Sequence, residues 1–296
     1  MRIFDCFTYC DEDLILDLRL NILDKYIDCF VIVESKFKHN GEIKNKNFNI
    51  DNFSKFKSKI KYIYLDKEPK NIQPLIKSDS NEVKRSKLIH NAYARENYQR
   101  NCISHGLNQS DDDDLIIIGD VDEIPNLKEV NLENKNEIFL FEQKMFYYKL
   151  NLIYENFTWY GSKACKMKKL KSPQWLRNIK NKKYSKFRLD VLFSEKKHSN
   201  INFIKKGGWH FTNIKKPEEI FKKMNSFLHH VDFKESGLDY ERFEKFIKEK
   251  NVFYDHSSSS KKIDRWFNEN KLQKIDINEL PQYININRNK YKNWLD

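Results

Sequence analysis

The sequence predicts an α/β protein: a mixed sheet flanked by helices, followed by a helical C-terminal extension. Segments with strand and helix patterns alternate over the first 125 residues, which is typical of this class. The runs FVIVE and LIIIGD are apolar at consecutive positions, as in a sheet that is covered on both faces. With 296 residues and 39% hydrophobic content, the chain is long enough to bury a sizeable core.

The elements of the first half follow from hydrophobic periodicity. Apolar runs predict strands, and spacings of three to four residues predict helices. The predicted strands are 3–7, 29–35, 59–66 and 114–125, and the predicted helices are 12–26 and 82–105. Ligands of such sheets bind at the carboxyl ends of the strands, where FVIVE and LIIIGD both end in acids. This edge is therefore the predicted site.

The second half is predicted to contain one long strand or a strand pair over 137–151, then surface strands and loops in a lysine-rich stretch at 163–186. Pro217 occupies a first helical position, and Tyr240 and Phe243 belong to a further helix. We therefore expect a catalytic domain over 1–235 and a helical extension over 236–296 that packs on it.

Composition excludes several classes. Five cysteines without paired spacing indicate neither a disulfide framework nor a zinc site. No apolar run reaches 18 residues and no signal peptide is evident, so we expect a soluble, cytoplasmic protein. The net charge of +12 favours anionic partners and predicts peripheral contact with anionic membrane. Nucleic acid is not expected, because lysines alternate with acids and no nucleic-acid-binding motif is present.

The segment IIIGDVDEIP delivers Asp120, Asp122 and Glu123 to the turn that leaves a buried strand. In an extended segment Asp120 and Asp122 point to the same side, so they can share a divalent cation that also binds a diphosphate. The alternative is a solvated turn or a helix cap. Burial of so much acid without a counter-charge would be costly, which favours the metal site.

The segment YARENYQRNCI places Glu96 on an apolar helix face, with Arg100 one turn further on. One interpretation is an ordinary Glu96–Arg100 ion pair. The other has Arg95 or Arg100 approaching a diphosphate, for which the planar guanidinium is suited.

The segment GGWHF, residues 207–211, combines two glycines with Trp209 and His210. Glycines allow close backbone approach, and a neutral imidazole is a suitable third ligand for a manganese-like ion already held by carboxylates. We predict that Trp209 and His210 contact metal or substrate; the alternative is a structural histidine.

The chain resembles glycosyltransferase family 17 over roughly residues 3–235. The resemblance rests on FDCFTYCDEDLILDLRLNIL, FVIVES with the Lys and Gly that follow, YARENYQRNCI, IIIGDVDEIP, FEQKMFYYKLN and GGWHF, in family order. It implies a GT-A-like, Rossmann-type fold and inverting transfer from a UDP-sugar, with UDP-N-acetylglucosamine as the expected donor. It also implies a divalent metal, Mn²⁺ with Mg²⁺ as the alternative, and a glycan, glycolipid or glycoprotein acceptor.

The resemblance places Asp120 and Asp122 at the metal and diphosphate. Asp122 and Glu123 become the expected catalytic residues, because inverting transfer needs a base near the metal turn. Asp190 and Glu142 remain possible bases. The remaining donor-side candidates are Glu34, Arg95, Glu96, Arg100 and Trp209. Two other functions stay open: a metal-dependent nucleotidyltransferase, and an inactive protein that binds glycan or nucleic acid.

Overall fold

A computed structural model describes residues 1–128, 130, 132, 137–254 and 270–296. The strands are β1 (Ile3–Tyr9), β2 (Cys29–Ser35), β3 (Ile60–Leu65), β4 (Leu115–Asp120), β5 (Glu123–Pro125), β6 (Ile138–Tyr147), β7 (Leu152–Trp159), β8 (Lys163–Lys166), β9 (Ile201–Thr212) and β10 (Gln273–Lys274). The helices are α1 (Asp13–Leu23), α2 (Asn81–Asn101), α3 (Pro173–Asn178), α4 (Leu189–Leu192), α5 (Pro217–Met224), α6 (His230–Glu235), α7 (Tyr240–Lys248), α8 (Gln282–Ile286) and α9 (Arg288–Tyr291).

These strands form one mixed sheet. Strands β4, β1, β2 and β3 are parallel neighbours in that order. Strand β8 is antiparallel to both β4 and β6, and the sheet continues through β7 to β10. Strand β9 runs parallel to β6 and antiparallel to β5. This is a Rossmann-like α/β architecture of the GT-A type, and it confirms the predicted fold class.

Both faces of the sheet are buried, as the apolar runs predicted. In β4, Leu115 and Ile117 enter one core together with α1, whereas Ile116 and Ile118 enter a second core on the side of α2 and α3. Alternate residues of a strand point to opposite faces, so a strand between two cores must be apolar at every position. This is why the predicted bounds of β2 match the observed ones.

The helices predicted at 217 and 240 are present as α5 and α7, and they cover the far end of β6 and β7. Ile220 and Phe243 belong there to one buried apolar cluster with Tyr147. The C-terminal residues contain a strand as well as helices, because β10 joins β7 at the sheet edge. Ile284 and Tyr291 enter the same core as α1. The boundary at residue 235 remains a prediction.

The lysine-rich stretch from 163 differs from the prediction of surface strands and loops. Strand β8 is buried between β4 and β6, and helix α3 follows it. Lys163 lies in the interior and donates to the carbonyl oxygens of Arg177 and Ile179. Burial, reinforced by the nearby Arg177 charge, lowers the pKa of Lys163 to about 7. The lysine-rich composition predicted a surface position. A lysine side chain is long enough, however, for its amine to reach hydrogen-bond acceptors while its backbone lies within a buried strand.

No helix in the described ranges has both the length and the apolar character that crossing a membrane requires.

Candidate active site

The acidic residues lie at the turn between β4 and β5, on the carboxyl edge of the parallel strands. Asp120 ends β4 directly opposite Thr8 of β1, whose hydroxyl donates to the Asp120 carboxylate over 3.3 Å. Asp122 occupies the turn, and Glu123 begins β5. The structure therefore places the acids at the edge that the sequence predicted.

Arg19 of α1 holds the backbone of this turn. Its guanidinium forms a fully buried bidentate pair with Asp5, with N–O distances of 2.7 and 2.6 Å. The remaining amino group donates to the carbonyl oxygens of Asp120 and Glu123, both over 2.8 Å. Arg19 was not predicted from the sequence, although it is a charged residue one helical turn after the apolar Ile15, the same pattern that singled out Glu96.

Two arginines neutralise the Asp120 carboxylate. Arg100 donates to Oδ1 over 3.0 Å, and Arg177 donates to Oδ2 over 2.9 Å. Burial opposes ionisation, but the two guanidinium charges outweigh it and hold the pKa of Asp120 well below its usual range. Arg100 also binds Glu96 over 2.9 Å, so the predicted ion pair exists and is part of the site.

Glu123 anchors Arg177 in place. Its side chain is 1% exposed, and its two oxygens accept two hydrogen bonds from Arg177, one from the Trp159 indole and one from the Asp120 amide. A carboxylate has about four lone-pair sites, so this set saturates it. The expected role of Glu123 as base does not fit this geometry, because these four donors occupy its lone pairs.

Asp122 and His210 form the second half of the site. Antiparallel pairing sets His210 opposite Glu123, and the Phe211 amide donates to the Asp122 carbonyl over 2.9 Å. The His210 Nε2 and Asp122 Oδ2 atoms then lie 3.5 Å apart. The Trp159 ring stacks on the imidazole at 4.9 Å, which fixes its orientation. Gly208 makes this close pairing possible, because a Cβ there would lie 2.1 Å from the Ile124 oxygen.

The Asp122–His210 pair fits a divalent cation. Ligand bonds of about 2.0–2.2 Å place neighbouring ligands about 3.0–3.5 Å apart, which matches the Asp122–His210 separation. The buried His210 Nδ1 has no hydrogen-bond partner among the described residues. Those residues contain no group of three His, Cys, Asp or Glu side chains that could hold an ion. Asp120 was also predicted as a metal ligand. Unlike Asp122 and His210, it has both carboxylate oxygens bound by arginines.

Positive side chains surround the acidic turn. Lys223 of α5 lies 3.7 Å from Glu12. Burial opposes its charge, but Glu12 and Asp122 raise its pKa. Burial likewise opposes the charge of Asp122, but His210 and Lys223 lower the Asp122 pKa. With Arg100 and Arg177, Lys223 makes an edge that is suited to an anionic ligand.

The family model described as glycosyltransferase family 17 matches residues 1–296. The chain belongs to glycosyltransferase family 17. No curated protein matches the chain. Membership makes the protein a glycosyltransferase, with a sugar donor and a glycan acceptor in general, and it favours sugar transfer over the nucleotidyltransferase alternative.

In this family 17 enzyme, Glu34 lies at the end of β2 but is fully buried. Its carboxylate pairs with Lys44 and accepts from the Tyr62 hydroxyl over 2.7 Å and from the Phe48 amide over 3.1 Å. Glu34 therefore holds the 44–48 segment across the end of β2. A contribution of Glu34 to nucleotide binding would therefore be indirect, through the position of residues 44–48.

Arg95 and Trp209 are not part of the cluster around Asp120. Arg95 of the family 17 enzyme donates to Glu68 over 2.6 Å and to the His39 carbonyl over 3.1 Å. Trp209 alternates with His210 along β9 and packs on the core that contains α1. Arg177 and Lys223, by contrast, lie beside the acids and were not predicted.

Of the other possible bases, Glu142 fits the family 17 site better than Asp190. Asp190 is bound by Arg188 and Lys197, which lower its pKa strongly. Leu140 and Ile118 are both opposite Lys163, so Glu142 and Asp120 each lie two residues further along, towards the same edge of the sheet. The pairing of β6 with β9 shifts register between Phe141 and Gln143, so strand alternation does not define which face Glu142 occupies. The Glu142 carboxylate accepts a hydrogen bond from the Tyr160 hydroxyl at the long distance of 3.5 Å.

Proposed function

We propose that this family 17 enzyme transfers N-acetylglucosamine, with inversion, from UDP-N-acetylglucosamine to a glycan, glycolipid or glycoprotein acceptor. The observation that carries the proposal is the Asp122–His210 pair beside Asp120, with Arg100 and Arg177 at the same edge. A UDP-sugar requires this combination: carboxylate and imidazole for a cation, and guanidinium groups for a diphosphate.

The divalent cation, Mn²⁺ with Mg²⁺ as the alternative, would be held by Asp122 and His210, with diphosphate oxygens and water as its other ligands. Bound there, it would supply positive charge to the UDP leaving group. Asp120 would hold Arg100 and Arg177 in place as positive charge beside the diphosphate, since Arg177 already donates four hydrogen bonds to Asp120, Glu123 and the Gly161 carbonyl. Lys223 would add charge at the α5 side of the turn.

Inverting transfer proceeds by a single displacement. The acceptor hydroxyl oxygen bonds to the anomeric carbon while the bond from that carbon to the UDP oxygen breaks, and the hydroxyl proton passes to a base. We assign the base to Glu142, because its carboxylate is engaged by Tyr160 only at the long distance of 3.5 Å, whereas Glu123 is saturated and Asp190 is bound by two cations.

Glu142→Gln is expected to lower the rate of UDP release by about 10²–10⁴-fold, the usual contribution of a general base. Donor affinity should stay unchanged, because the amide keeps the shape of the side chain. The matched control is Asp190→Asn, expected to retain the wild-type rate. A Glu142→Gln enzyme with wild-type turnover would remove Glu142 from the mechanism.

The donor is tested by thermal shift and nucleotide release with UDP-, GDP- and CMP-sugars, each with Mn²⁺, Mg²⁺ or a chelator. A ligand at 100 times its Kd stabilises the folded state by about 2.7 kcal/mol. We expect UDP-N-acetylglucosamine with Mn²⁺ to raise the melting temperature and to release UDP slowly, and the chelator to abolish both effects. If no nucleotide sugar shifts the melting temperature with either metal, the proposed donor site is wrong.

A further inference from the structure

A short surface segment exposes large apolar side chains. Within seven residues, Phe187, Leu189, Leu192 and Phe193 are 97%, 73%, 68% and 89% exposed. Single exposed apolar residues are ordinary on protein surfaces, but a contiguous group marks an interaction surface. We refer to residues 180–197 as the basic–apolar segment.

The same segment is strongly cationic. It contains two acids and seven basic residues, a net charge of +5. The basic residues are Lys180, Lys182, Lys183, Lys186, Arg188, Lys196 and Lys197. Aromatic and aliphatic tips surrounded by lysine and arginine are the composition of surfaces that bind the interface of an anionic bilayer.

The segment is ordered by its own polar contacts. Lys182, Arg188 and Lys197 surround the Tyr184 ring, with their charged ends 5.6–5.9 Å from its centre. Asp190 binds both Arg188 and Lys197. These contacts hold the polar base of the segment together while helix α4 and its flanks carry the apolar side chains outward.

The basic–apolar segment is also tied to the active site. The Trp175 indole donates to the Glu195 carbonyl over 2.9 Å, and the Lys180 amide donates to the Lys196 carbonyl over 2.8 Å. Trp175 belongs to α3, the helix that also carries Arg177. A surface bound by the segment would therefore have a fixed relation to the acidic turn.

We propose that the basic–apolar segment docks on a bilayer that contains anionic phospholipid. Phe187, Leu189, Leu192 and Phe193 enter the headgroup–acyl boundary, and the lysines and Arg188 contact lipid phosphates. Charge complementarity favours this partner, because basic residues flank the apolar side chains in the sequence, with Lys186 before Phe187 and Lys196 after Phe193. An anionic bilayer offers phosphates for these cations and, beneath them, an apolar interior for the aromatic and aliphatic side chains. The contact brings α3 and Arg177 towards the membrane surface and depends on neither donor nor metal.

The test is sedimentation with vesicles of phosphatidylcholine alone or mixed with phosphatidylglycerol. The wild-type enzyme is expected to bind the mixed vesicles at low salt, to bind pure phosphatidylcholine weakly, and to dissociate as salt is raised. Phe187→Ser with Phe193→Ser should weaken binding about tenfold or more. Lys183→Glu with Lys186→Glu should remove the preference for anionic vesicles.

The matched control is Ile43→Ser with Ile286→Ser, which removes two apolar side chains of similar exposure, 67% and 73%, elsewhere on the surface. This control should bind as the wild type does. Equal binding by the Phe187→Ser, Phe193→Ser variant would overturn the proposal. So would a wild-type dimer in solution that this variant abolishes without any vesicle binding. The donor thermal shift, measured on each variant, separates a failure of docking from a failure of the proposed function.

Discussion

The Asp122→Ala variant is expected to lose about 10³-fold or more in the rate of UDP release and to lose metal-dependent donor binding, while its melting temperature stays close to wild type. A cation at a leaving group contributes several kcal/mol to transition-state stabilisation, and each 1.36 kcal/mol is about a tenfold change in rate. The two proposed cation ligands are Asp122 and His210, whose Oδ2 and Nε2 atoms lie 3.5 Å apart. Removing either side chain removes one of these two ligands.

The fold should tolerate Asp122→Ala because, among the described residues, this carboxylate has no arginine partner, unlike those of Asp120 and Glu123. Its side chain is 15% exposed and lies beside His210. Calorimetry with UDP-N-acetylglucosamine, with Mn²⁺ or with a chelator, measures the effect. Asp113→Ala, an exposed acid at the opposite end of β4, is the matched control and should bind as wild type. Metal-dependent binding that survives Asp122→Ala would contradict the assignment.

The Arg19→Ala variant is expected to lower the free energy of unfolding by about 3–5 kcal/mol, the usual cost of breaking a buried ion pair. It leaves the Asp5 carboxylate fully buried without its partner. It also removes the donor to the carbonyl oxygens of Asp120, Val121 and Glu123. Donor binding should therefore weaken even at temperatures where the variant is still folded.

Urea unfolding measures this loss, and an exposed ion pair is the control. Arg85 pairs with Asp232 and Glu235 at the surface, so Arg85→Ala should cost about 1 kcal/mol or less. Arg19→Met combined with Asp5→Leu should recover part of the stability, because the buried charge is removed with its partner. If Arg19→Ala costs no more than Arg85→Ala, the turn is held by contacts other than this pair.

The first half of the fold was predictable because its central strands β2 and β4 are apolar on both faces. FVIVES and LIIIGD are therefore distinct from helices and from half-exposed strands. The lysine-rich stretch was not predictable in this way. Its strand β8 carries Lys163 and Lys166 in buried positions, where their amines reach carbonyl oxygens outside the strand. Such a partner cannot be read from periodicity.

The site was predictable in part, for a related reason. Two local patterns could be recognised without knowing their tertiary partners. Asp120 and Asp122 stand at the end of an apolar strand, and His210 follows two glycines within a strand. Arg177 has no such pattern: it lies in the short helix α3, which Ser172 caps, and its partners Asp120 and Glu123 are more than fifty positions away. Its role in the site therefore follows only from its tertiary contacts with Asp120 and Glu123.

The sequence by itself therefore determined the α/β class, the edge of the sheet that carries the acids, and the residue types available there. Only the tertiary structure decided how those acids are used. Glu123 is saturated by Arg177 and Trp159, whereas Asp122 is left facing His210. The physical reason is that the state of a carboxylate depends on burial and on the charges within a few ångströms, which come from distant parts of the chain.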